Sequence, residues 1–154
     1  MTQKRTCGGC TACCWTHYIP ELEKPMHTGC AHQTVQGCSI YGKHPFSCRQ
    51  YSCGWRNGLG RDRHRPDRSG IVVDVSDHRG HMRITLVEVK PGALQSRTGR
   101  ALLKLYQRER FRFYTMSHDG ICTKYVPRGQ AEFQDLLGEL LGSKRARANE
   151  VVYA

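Results

Sequence analysis

Cys7-Gly8-Gly9-Cys10-Thr11-Ala12-Cys13-Cys14 places four thiols within eight residues. Cys7 and Cys10 form a Cys-x-x-Cys pair with glycines between them. Such a turn lets two sulfurs converge while backbone N–H groups face the thiolates, and glycine permits the φ > 0 geometry. Cys10 and Cys13 repeat the spacing, and Cys14 follows at once. Neighbouring side chains of an extended chain point to opposite sides. Cys13 and Cys14 are therefore expected to serve two ions, or only one of them is a ligand. A second set, Cys30, Cys38, Cys48 and Cys53, has longer gaps, which suits ligands brought in by loops. Eight thiols divide into two four-cysteine sites or one larger cluster with spares. Structural zinc takes four ligands, and iron–sulfur clusters are also held by cysteines. The bacterial ferredoxin run fails here, because the fourth cysteine follows immediately and no proline comes after it. Zinc at about two ions per chain is the first expectation, with iron or an iron–sulfur cluster the alternative.

The 154 residues contain nine cysteines and 16 glycines and carry a formal charge of +11. The ninth cysteine, Cys122, stands alone and is expected to face a sheet core as a small hydrophobe. No apolar run approaches the ~18 residues of a membrane span, so no membrane association is expected. The first residues lack the apolar segment of a secretory signal. A cytoplasmic location is expected on that ground. Reducing cytosol disfavours disulfides, and an odd number of thiols would leave one unpaired. No GxxxxGK run ending in Ser or Thr and no strand–GxGxxG–helix unit points to nucleotides. Paired carboxylates, a nucleophile elbow and HExxH are absent too, so no hydrolytic reaction is indicated.

Cys7-Gly-Gly-Cys10-Thr-Ala-Cys13-Cys14 resembles the CxxCxxCC signature of the YkgJ-type cysteine-cluster family, described as zinc- or iron-chelating. The likeness continues through Ile19-Pro20-Glu21-Leu22-Glu23-Lys24-Pro25 and Cys30-Ala31-His32. Gly37 to Tyr41, Pro45 to Arg49, Tyr51 to Trp55 and Arg65 to Gly70 are similar as well. It covers roughly residues 5–70. One departure is His44, where the family usually has Arg. The resemblance implies metal chelation by the eight cysteines rather than any particular reaction.

His17, His27, His32 and His44 share the cysteine-rich third. His32 is the best substitute ligand, being two residues from Cys30, although most histidines are not ligands. Trp15, Tyr41, Tyr51 and Trp55 interleave with the cysteines. They are expected to shield a metal site from solvent; base stacking is the alternative. Arg49 is placed to screen thiolate charge.

Beyond residue 60 the pattern changes. Residues 61–70 read as a basic hinge. Ile71–Val75 and His81–Val89 read as strands joined by a turn over Asp77–Gly80. Residues 98–110 read as a helix with Ala101, Leu102, Leu105 and Tyr106 on its apolar face. Phe111–Met116 and Cys122–Val126 read as a second hairpin around Asp119-Gly120. Phe133, Leu136, Leu137, Leu140 and Leu141 mark a second amphipathic helix. The expected fold is α+β: a small cysteine-rich, metal-bound region (1–60) packed on an antiparallel sheet with two helices (71–154).

The charge is spread evenly: ten Lys/Arg against four Asp/Glu in residues 1–70, fourteen against nine in residues 71–154. Eight thiolates subtract eight charges and two Zn²⁺ return four, leaving about +7. Three functions follow. The first is a metal-binding protein whose metal is mainly structural. The second is a zinc-scaffolded adaptor that contacts nucleic acid or an acidic protein through Arg61, Arg63, Arg65, Arg68 and the tail at 144–147. The third is an iron–sulfur redox protein or metalloenzyme, which needs an open coordination position or a redox-active cluster.

Overall fold

The unbroken apolar run Ile71-Val72-Val73 sets up a strand that is buried on both faces. A computed structural model describes residues 5–78, 81–129 and 147–153, with backbone alone for 78, 81 and 147–153. Two short strands, β1 (Gln33–Thr34) and β2 (Gly37–Cys38), form a small antiparallel hairpin. The main sheet contains β3 (Ile71–His78), β4 (His81–Glu88), β5 (Phe113–Met116), β6 (Ile121–Val126) and β7 (Arg147–Tyr153), in that spatial order. The described helical segments are α1 (Ala12–Thr16), α2 (Phe46–Gln50), α3 (Pro66–Ser69) and α4 (Arg97–Arg108).

The α+β class stands, but the sheet is mixed rather than antiparallel. Pairs β3/β4 and β5/β6 are the two expected hairpins, whereas β4/β5 and β6/β7 run parallel. The cause is connection length. Parallel neighbours need a crossover of a dozen or more residues, usually helical, and α4 supplies it between β4 and β5. The helix expected over 133–141 and residues 144–146 of the basic tail lie outside the described residues, as do the last two residues of the Asp77–Gly80 turn. Arg147 begins β7.

Period-two alternation splits the sheet into two faces. Ile71, Val73, Ile84, Leu86 and Phe113 pack with Leu102 and Tyr106 of α4. The helix starts where Ser96 Oγ accepts the Gly99 N–H at 3.0 Å, an ordinary N-cap. Its buried stripe is turned from the expected one. Gly99, Leu102 and Tyr106 are buried and Leu103 packs half-buried against the core, whereas Leu105 is 38% exposed and Ala101 is exposed.

The opposite face carries Val72, Val87 and Met116, packed against Ala12, Tyr51, Cys53 and Val89. The cysteine-rich segment therefore lies on the sheet face away from α4. Gly54 locks it there. Its N–H donates to the Val73 carbonyl at 2.6 Å, and a Cβ at Gly54 would stand 3.1 Å from that carbonyl oxygen. This contact also occupies part of the outer edge of β3, which would otherwise present unpaired backbone groups. Residues 61–70, read as a hinge, hold a 3₁₀ turn (Asp62–His64) and α3. Pro66 stands at the first position of α3 and Gly70 caps it in the left-handed region, a common start and stop.

Candidate metal centre

Each cysteine is carried by a short element. Cys7 and Cys10 flank a tight turn in which the Cys10 N–H donates to the Cys7 carbonyl at 3.1 Å. Gly8 has φ 55°, the left-handed geometry that its sequence position called for. Cys13 and Cys14 sit on α1, one helical step apart rather than on an extended strand. Cys38 ends β2, Cys48 lies on α2, and Cys53 precedes Gly54 at the sheet. Cys30 accepts the Gln33 N–H through its carbonyl at 3.0 Å.

All eight line one cavity of about 300 Å³. Each is partly buried, and all nine cysteines are unbridged. Among the described residues, no three His, Cys, Asp or Glu side chains stand as a formed coordination shell. The sulfurs are close enough to act electrostatically on one another: Cys10 and Cys14 on Cys7, Cys7 and Cys10 on Cys53, and Cys14, Cys7 and Cys10 on Cys13. Cys48 is in the same relation to Cys14, Cys30 and Cys38. Cys13 and Cys14 are neighbours on α1, and their mutual interaction lowers Cys14 to about 7, helped by Lys24, and pushes the Cys13 thiol up. Burial raises Cys7, Cys48 and Cys53. Protons or positive charge must therefore offset eight crowded thiols.

Arg56 lines the cavity, and Lys24 and Arg65 act on its sulfurs from behind the lining. Lys24 is only 6% exposed. Its Nζ donates to the carbonyls of His17 at 2.6 Å, Pro25 at 2.8 Å and Trp15 at 3.5 Å. Burial lowers its pKa, and Cys30, Cys14, Cys13 and Cys48 oppose that shift. Arg56 and Arg65 both favour the Cys7 thiolate. Arg65 Nη2 donates to the Cys7 carbonyl at 2.8 Å, and Nε pairs with Asp67 at 3.0 Å. Arg5 and Arg65 both lie over the Trp55 ring, 5.1 and 5.6 Å from its centre. A further support is Glu21, whose carboxylate accepts the Ser47 N–H at 2.9 Å and hydroxyl at 2.5 Å. It thereby holds the start of α2, which carries Cys48. Lys24, Arg56 and Glu21 were not singled out by sequence reasoning, and Arg65 was expected to contact nucleic acid or an acidic protein. No spacing rule announces a lysine that will be buried among carbonyls from three separate residues.

His17, His32 and His44 line the cavity with the cysteines. His44 Nδ1 accepts the Gly42 N–H at 3.0 Å, and its ring stacks on Tyr41 at 5.1 Å. His27 does not line the cavity. Tyr41 and Tyr51 line it, Tyr51 meeting the His17 ring at 4.2 Å, whereas Trp15 stacks on His118 at 5.0 Å. Arg49 also lines the cavity. Of the basic cluster, Arg61 and Arg63 are exposed, Arg65 is engaged as above, and Arg68 pairs with Asp62. Cys122 is 1% exposed and lies on the sheet face opposite α4.

The fold and cavity define an α+β protein with eight cysteines gathered over one face of a mixed sheet. No family model, curated protein or solved structure matches the chain. Among the described residues, no helix is long and apolar enough to cross a membrane.

Proposed function

We propose that the protein binds two metal ions through its eight cavity cysteines and that the metal is mainly structural. Cys7, Cys10, Cys13 and Cys53 hold one ion; Cys14, Cys30, Cys38 and Cys48 hold the other. The observation that carries this is the convergence of eight thiols, spread over residues 7–53, on a single cavity lined by Arg49 and Arg56, with Lys24 and Arg65 acting on its sulfurs. Four thiolates on one Zn²⁺ leave a charge of −2, and fixed cations offset it. Soft thiolates suit zinc or iron–sulfur centres over hard cations. Sets of four sulfurs complete a closed zinc site, which favours zinc. The likeness to the YkgJ-type family agrees with this reading.

Elemental analysis of anaerobically purified protein tests it. The expected result is close to two zinc ions per chain in a colourless sample. A brown chromophore with iron moves the reading to iron–sulfur chemistry. A folded, natively purified chain without metal ends it.

A further inference from the structure

A second cavity, of about 350 Å³, lies between the cysteine-rich segment and the sheet. His17 and Tyr51 line both cavities and form the wall between them. Its floor is the sheet face away from α4. There Asp74 of β3 is paired with Thr85, and Ser76 with Arg83 of β4. Asp74 and Arg83 are thus diagonal neighbours on one face, and they act on each other electrostatically. Ser76 Oγ is shut off from solvent and has no hydrogen-bond partner among the described residues. The rest of the lining sets Met26, Val87 and Met116, beside Cys122, among Thr16, Tyr18, Thr85 and Tyr114.

We infer that this cavity is a binding site for a free α-amino acid with an apolar side chain. One carboxylate and one guanidinium, half-buried on one wall, do not select a lone anion or a lone cation. A ligand with a single charge would leave one of them desolvated without a new partner. A zwitterionic head group satisfies both: the ammonium on Asp74, the carboxylate on Arg83, with Ser76 Oγ free to join either. The side chain then enters the apolar end, where methionines adapt to its shape. The volume is at the small end of ligand pockets, which fits one amino acid and not a peptide. The competing role is glue, since Tyr51 of the cysteine-rich segment and Asp74 of β3 meet in this cavity. Glue gives no use to the unpartnered Ser76 oxygen.

Calorimetric titration of the intact chain with L-methionine, L-leucine and L-phenylalanine tests this, with metal content measured on the same samples. A failure here therefore stays separate from a failure of the metal reading. At least one amino acid should bind saturably. Its decarboxylated amine and its deaminated acid should each bind about tenfold more weakly or worse, a loss of about 1.4 kcal/mol. Arg83→Gln should remove the preference for the amino acid over the amine, and Asp74→Asn the preference over the acid. Ser76→Ala deletes an unpaired buried oxygen, so it should fold at least as stably as the parent while binding the amino acid severalfold more weakly. The inference is overturned by no saturable binding up to about 10 mM, by truncated probes that bind as well as the amino acid, or by unchanged affinity in Ser76→Ala.

Discussion

The sheet with α4 and the cysteine-rich segment on its other face are built by different physics. Of the sixteen buried apolar residues among those described, fourteen lie between Ile71 and Val126, and Ile19 and Trp55 lie before them. The sheet half has eight-residue strands and a three-turn helix. The other half has five-residue helices, two-residue strands and single turns. Such pieces are too short to persist alone. Burial of apolar surface accounts for the first half. The second needs cross-links, and its cavity supplies eight sulfurs for them.

The largest effect should come from removing metal. Chelation under reducing conditions should strip hydrogen-exchange protection from residues 5–60 while the amides of β3 to β6 keep theirs. Structural zinc contributes about 10–16 kcal/mol of apparent binding energy in small peptides. Uniform loss over the whole chain, or no loss, would break the contrast between the halves.

Cysteine substitutions should sharpen it next. Cys53→Ser should lose one ion and keep the other, and Cys7→Ser/Cys53→Ser should lose no more than that. Cys53→Ser/Cys48→Ser should lose both. Cys122→Ala should keep the metal content of the parent. Metal counts that ignore the grouping would show one shared cluster in place of two sites.

Lys24→Met should lower metal affinity by about 10–100-fold, the usual range for a residue behind the ligands. It should leave the sheet core as stable as before. Competition with a coloured chelator measures the first and exchange of the β3 to β6 amides the second.

The smallest effect should be that of Glu21. Hydrogen bonds from Ser47 hold its carboxyl below the usual 4.5. A depressed folded pKa contributes stability above the unfolded value and loses it as pH falls through the folded one. Glu21→Gln should therefore be less stable than the parent at neutral pH. The gap should close as the solution is acidified below 4.5. A gap that persists in acid would mean that charge is not what holds the start of α2.

The parts legible in the sequence were those governed by local rules. Both hairpins of the main sheet follow from alternation and turn residues. α4 follows from its period, although the packed stripe is Gly99, Leu102, Leu103 and Tyr106, which leaves Leu105 on the exposed side. The parallel pairing of β4 with β5 was hidden, since it depends on how α4 folds back and not on either strand. Gathering of the eight cysteines in one cavity followed from their type and density. Arg49 beside them was legible too, but Lys24 was not, because it is buried by contacts to His17 and Trp15 that only the folded chain creates.

X-ray absorption on anaerobically prepared, metal-quantified protein tests the central claim most directly. We expect two ions per chain, each surrounded by four sulfurs at about 2.3 Å. A shell of nitrogen and oxygen, or sulfurs bonded to one another with no metal between them, would contradict it.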